Sequence, residues 1–128
     1  MTQKTILITG VILGALAVMI GAFGAHGLEK ILTANGRNET FETGVKYHMY
    51  HAFALIATGL ILFQVQSKYI YLAGMFFLVG VLIFSGTLYI LSLTNIKWLG
   101  AITPIGGLFL IAGWLSLAHG LFYNWPKK

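Results

Sequence analysis

The chain has 128 residues, 58% of them apolar and 9% charged, so almost nothing remains for a soluble domain once membrane segments are set aside. A net charge of +5 suits loops and tails that meet anionic lipid, and the eight basic residues are too scattered for a nucleic-acid surface. Cysteine is absent, which excludes disulfides and leaves the redox compartment undetermined.

About 20 apolar residues in helix cover a hydrocarbon core of about 30 Å. The first stretch to meet that length, over 5–25, runs from Ile6 to Ala25 without a charge. Lys4 before it and Ala22-Phe23-Gly24 at its end resemble a secretory signal, but the run is long for one and is read here as a retained span. The only long polar interval follows, roughly His26 to His51, and it holds all three acidic residues, Glu29, Glu39 and Glu42. A helix is expected to begin near Asn38 or Glu39, with Asn38 or Thr40 as N-cap, and to run unbroken into a second span over 47–66. Glu39 and Glu42 suit the positive end of its dipole, and Glu42 with Lys46 makes a favourable i, i+4 pair. Third and fourth spans follow over 70–93 and 99–122, separated by loops of a few residues. Apolar residues run continuously instead of alternating, which excludes a β-barrel. Backbone in lipid satisfies its hydrogen bonds within each helix, so the predicted fold is an all-α integral membrane protein. It is a single domain, a compact antiparallel four-helix transmembrane bundle with an ordered polar loop and helix in 26–46. Four Lys/Arg residues fall on each side, so charge does not set the topology; the amino terminus and the Lys127-Lys128 tail favour both termini in the cytoplasm.

Tracing the spans up and down brings most polar groups to the face that carries the long loop. His26 arrives on the first helix, Glu42, Tyr47 and His51 leave on the second, Ser85, Tyr89 and Ser92 arrive on the third, and Thr103 departs with Pro104 on the fourth. His26, Glu42, Tyr47, His51, Ser85, Tyr89 and Thr103 are the candidate ligand-binding or polar-network residues. His26, Glu42, His51 and Tyr89 are expected to share one network, because a polar group near lipid is costly without a partner. Ser85, Tyr89 and Ser92 lie at i, i+4 and i+7, one polar stripe on an apolar helix: either hydroxyls bonded to their own helix and a tyrosine in the interfacial belt, or the lining of a pocket. Pro104 either begins the fourth helix or kinks it.

Sixteen glycines are the other signal. Gly10, Gly14 and Gly21 on the first helix, and Gly106, Gly113 and Gly120 on the fourth, make small-residue faces that permit close approach. Such faces pack inside a bundle or between subunits, and the expectation is a homo-oligomer with one of them at the subunit contact. His48 and His51, three apart, permit joint metal binding, yet no cysteine or His-Glu-x-x-His pattern accompanies them, so no metal and no cofactor are expected. No nucleophile elbow or phosphate loop is found; the Gly21 to Gly27 run has no preceding strand, and no ionisable group lies deep in a span.

Four segments carry a family resemblance: Gly21-Ala22-Phe23-Gly24-Ala25-His26-Gly27-Leu28, Tyr47 to Ala52, Phe84-Ser85-Gly86-Thr87-Leu88-Tyr89, and Thr103-Pro104-Ile105-Gly106-Gly107 with Gly113-Trp114. In these the chain resembles the domain of unknown function 423 family (uncharacterised protein family 0382), small bacterial membrane proteins with an animal relative named transmembrane protein 256. The resemblance covers nearly the whole chain. It implies a four-span protein of the bacterial inner membrane and brings no catalytic residues. His26, Glu42, Thr43, Tyr47, Tyr50, His51, Ser85, Tyr89, Thr103 and Pro104 match the family pattern, whereas His48 departs from it. The leading functional reading is a non-enzymatic protein that binds membrane lipid or a small hydrophobic ligand, or serves a membrane complex. The alternatives are a small transporter or channel subunit acting as an oligomer and, with least support, an intramembrane enzyme using His51 or His26.

Overall fold

The computed structural model describes residues 1–127 and is built from five helices, α1 Gln3–His26, α2 Glu29–Asn35, α3 Asn38–Ile61, α4 Lys68–Thr94 and α5 Leu99–Asn124. Three of them, α1, α4 and α5, are long and apolar enough to cross a membrane. α3 equals α1 in length but falls short in apolarity, because Glu39, Glu42, Lys46 and two histidines occupy its N-terminal part. The deepest of these polar groups face protein: His48 and His51 are buried, as is Thr58 farther along the helix. Hydropathy is demanded only of the surface that meets lipid, and α3 lies between α1 and α4.

The helices stand side by side in the order α1, α3, α4, α5, and α5 reaches the rest almost wholly through α4. Each neighbouring pair is antiparallel. Along α1 and α3, Gly10 meets Ala52 and Ile56 while Gly24 meets Phe41; along α4 and α5, Gly80 meets Leu110 while Gly120 meets Ile70. The result is a helical membrane bundle with Ile6, Leu55, Leu62, Ile70 and Phe77 fully buried at its centre. Large apolar side chains such as Val18, Phe23, Phe53, Leu108 and Leu115 cover the outside, as a lipid environment requires.

The glycine faces are used inside the chain. A Cβ on Gly113 would lie 2.6 Å from Phe77 Cδ1, one on Gly120 2.5 Å from Ile70 Cγ1, and one on Gly106 would meet the Phe84 backbone. The seven-residue repeat of α5 is therefore the seam with α4, and Gly10 with Gly59 makes the corresponding seam between α1 and α3. Of the small-residue faces read from sequence, Gly10, Gly106, Gly113 and Gly120 are occupied within one protomer, whereas Gly14 meets only the Ala52 Cβ, at 3.9 Å.

Two local departures matter for the loop-side end. α2 closes with Gly36 at φ 64°, where Gly36 N–H donates to Thr33 O and Arg37 N–H to Leu32 O, a Schellman turn. α3 starts at once, so its N-cap is Arg37 with no side-chain bond, not Asn38 or Thr40. Asn38 Nδ2 instead donates to Thr33 Oγ1 at 3.3 Å, and the Thr43 hydroxyl to Glu39 O at 2.9 Å. Pro104 lies inside α5, since the helix begins five residues earlier at Leu99, and its missing N–H leaves the Gly100 carbonyl without that helical bond.

Candidate functional site

α3 displays polar groups to both of its flanks at the loop-side end. His51 Nδ1 lies 2.7 Å from the Tyr47 carbonyl one turn back, and a carbonyl only accepts, so Nδ1 carries the proton. Nε2 then offers its lone pair, and the Trp114 indole N–H of α5 donates to it at 3.2 Å. These two partners fix His51 as the neutral Nδ1–H tautomer and make it a polar pin between α3 and α5 across the face of α4. The Phe77 ring packs on both partners, with centroids 5.6 Å from His51 and 5.0 Å from Trp114.

One turn nearer the loop, His48 Nδ1 and the Tyr89 hydroxyl are 2.9 Å apart. His48 is buried, and its Nε2 meets no hydrogen-bond partner among the described residues. The Ser85 hydroxyl donates to the Gly44 carbonyl at 2.7 Å, a second bond from α4 to α3. Thr103 shares a 2.7 Å hydroxyl bond with Thr87 and ties α5 to α4. α2 is fastened over this end by its buried Leu32 and by Asn35, whose amide donates to the Ser92 and Leu93 carbonyls at the close of α4, while Arg37 Nε donates to Asn95 Oδ1. In this way carbonyls that a helix C-terminus leaves without partners are satisfied by the loop helix.

Two cavities of about 470 Å³ each flank Phe41. One lies among the end of α1, α2 and the start of α3; it is amphipathic, with Gly21, Gly24 and Val45 on its floor and Glu29, Asn38, Glu42 and Lys46 at its rim. The other lies between α1 and α4 and is lined by Met19, Ile20, Phe23, Leu28, Tyr89 and Leu93, an apolar slot. Phe41 lines both and is itself buried, its ring lying on Gly24 and 5.3 Å from the Tyr89 ring. Only a residue without a side chain lets the Phe41 ring come this close to α1, so Gly24 sets the position of the partition between the cavities.

The seven sequence candidates are thus distributed among several contacts. His51, Ser85 and Thr103 are buried, and Tyr89 is half-buried against His48. Tyr47 is exposed, its ring over Phe84 at 4.8 Å, and its carbonyl rather than its hydroxyl serves His51. Glu42 is exposed at the cavity rim and His26 exposed at the last residue of α1. The expected four-membered network of His26, Glu42, His51 and Tyr89 does not form, because depth brings these residues to one face while helix rotation turns them apart. Gly24 faces α3, so His26, two residues on, points away; Phe41 faces inward, so Glu42 turns toward the rim. In the stripe of α4, Ser92 bonds to Leu88 O of its own helix while Ser85 and Tyr89 reach across to α3. His48, set aside from sequence as a departure from the family pattern, is the partner of Tyr89. Trp114, Phe41 and Asn35 carried no chemical signal of their own in the sequence. Among the described residues, no group of three His, Asp or Glu side chains is placed to hold a metal.

An all-helical bundle with several apolar spans and short connections defines a small multi-pass membrane protein. Residues 20–107 match the family described as "Protein of unknown function (DUF423)". The chain is 50% identical over 116 residues to the UPF0382 membrane protein SH2409 of Staphylococcus haemolyticus, covering 88% of this chain and 93% of that one. It is 43% identical to YwdK of Bacillus subtilis over 90% and 94% of the two chains, and 33% identical to the inner membrane protein YgdD of Escherichia coli over 94% and 91%. The protein belongs to this DUF423, or UPF0382, membrane protein family. No solved structure gives a significant match.

Proposed function

We propose that the protein is a non-enzymatic component of a bacterial inner membrane, with both termini in the cytoplasm, that binds a lipid or small hydrophobic ligand at its loop-side end. The observation that carries this reading is the pair of cavities on either side of Phe41. An amphiphile needs a polar berth at the level of the headgroups and an apolar surface adjoining it, and a cavity of several hundred Å³ is the usual size for a small-molecule site. The amphipathic cavity and the α1–α4 slot supply the two kinds of lining within one turn of each other. The buried polar groups support the walls: each of His51, Ser85 and Thr103 spends its hydrogen bonds on a neighbouring helix or its own, which leaves none of them poised as a nucleophile or a free base. The inner-membrane location follows the Escherichia coli relative, an inner membrane protein.

The test is mass spectrometry of the protein purified in mild detergent, read for co-purified lipid or small ligand. Native protein is expected to retain a defined amphiphile, and Ala25→Trp or Leu93→Trp, which put bulk into one cavity each at exposed positions, to lose it with the fold intact. Equal retention by native protein and both variants would contradict the reading.

A further inference from the structure

The charge at the rim of the amphipathic cavity runs against the charge of the chain. Eight basic and three acidic residues make the protein cationic, yet two of those three acids, Glu29 and Glu42, line this one cavity, beside a single basic residue, Lys46, and the amide of Asn38. Glu29 comes from the first turn of α2, and Glu42 and Lys46 lie one turn apart on α3. Among the described residues no hydrogen bond occupies either carboxylate, although both line the same cavity. Carboxylates accept hydrogen bonds and do not donate them, so they call for a ligand with N–H donors and positive charge; Lys46 calls for an anionic oxygen close by. The wholly apolar slot behind Phe41 takes no part in either, and it suits a hydrocarbon chain.

Resting on the amphiphile reading above, we infer that the amphipathic cavity is a headgroup site for a phospholipid bearing a primary ammonium beside its phosphate. The ammonium is held by Glu29 and Glu42 and the phosphate by Lys46 and Asn38, with the start of the acyl chains against the cavity's apolar lining of Leu32, Phe41 and Val45. A primary ammonium has three N–H donors for two carboxylates. A quaternary ammonium has none and is recognised instead by a cage of aromatic faces, whereas Phe41 is the one aromatic side chain lining this cavity. An anionic headgroup without an amine meets two carboxylates against one lysine and is repelled. Selectivity therefore arises from the excess of carboxylate over ammonium at the rim.

The experiment uses the full chain, delipidated in mild detergent and offered equal amounts of dioleoyl phosphatidylethanolamine, phosphatidylcholine and phosphatidylglycerol, with bound lipid counted by native mass spectrometry. The ethanolamine lipid is expected to be retained about tenfold over either competitor, the ratio that about 1.4 kcal/mol gives. Glu29→Gln with Glu42→Gln should abolish that preference while leaving acyl-chain binding and the fold intact, since both residues are exposed. Lys46→Gln should weaken all three phospholipids together and keep the ranking. Equal retention of the three lipids by native protein would overturn the headgroup assignment and leave the amphiphile reading standing; retention of none would end both. Displacement of the lipid by free phosphoethanolamine at equal concentration would overturn a lipid as the source of the ammonium.

Discussion

The α4–α5 seam and the loop-side end of α1, α2 and α3 solve different problems with the same few residue types. Along the seam, glycines at Gly106, Gly113 and Gly120 receive Phe84, Phe77 and Ile70 so closely that no side chain can be added. At the loop-side end, Gly24 also receives an aromatic ring, but here the Phe41 ring stands between two cavities, and Gly21 one turn away lines one of them. Close approach makes a scaffold in one region and a partition in the other. In lipid, where no hydrophobic effect drives helices together, the first use is what holds α5 in place.

Gly113→Leu should have the largest effect, because its first added carbon already collides with Phe77. The expected loss is about 3 kcal/mol or more, the upper range for overpacking, seen as a collapse of the thermal unfolding midpoint. A stable but dissociated variant would show that the seam lies between subunits after all. Trp114→Phe removes the donor to His51 Nε2 and leaves a buried acceptor unpaired; it should cost about 1 kcal/mol and speed amide exchange near the middle of α5. Unchanged exchange would mean that the pin holds nothing. Asn35→Ala frees the last carbonyls of α4 and should cost about 0.5 to 1 kcal/mol, with faster exchange confined to α2 and the close of α4. Gly107→Ala is the control: its Cβ would meet the Phe84 ring at 3.7 Å, an ordinary contact, so stability should stay within about 1 kcal/mol of native and move upward if at all.

What could be read from the sequence divides along the same line. Long apolar runs and the glycine repeat are one-dimensional signals, and they gave the helices, their antiparallel order and the close-packed faces. The start of α3 at Asn38 was legible because Glu39 and Glu42 mark a helix N-terminus. Depth was legible too, since residue count along a helix measures it. Rotation about each helix axis was not, and the site depends on rotation. Glu42 and Phe41 are neighbours in sequence, yet one reaches the rim and the other the interior; His48 and His51 share a stripe, yet one reaches Tyr89 on α4 and the other Trp114 on α5. Partners of this kind are fixed by tertiary packing, to which neither His48 nor Trp114 gave a local clue. The destination of the α5 glycine face was hidden for a related reason: a small-residue face states that something will pack closely, and not whether it belongs to the same chain.

The central claim, that the loop-side end receives an amphiphile while the seam only supports it, is tested most directly by titrating phospholipid onto delipidated protein and following the unfolding midpoint. A ligand that binds the folded state alone stabilises it by an amount that grows with the logarithm of its concentration. The account predicts a midpoint that rises steadily with lipid for the native protein and stays flat for Ala25→Trp with Leu93→Trp, whose cavities are filled. A rise of equal size in both would mean that lipid stabilises the bundle from outside, and that the cavities beside Phe41 hold nothing.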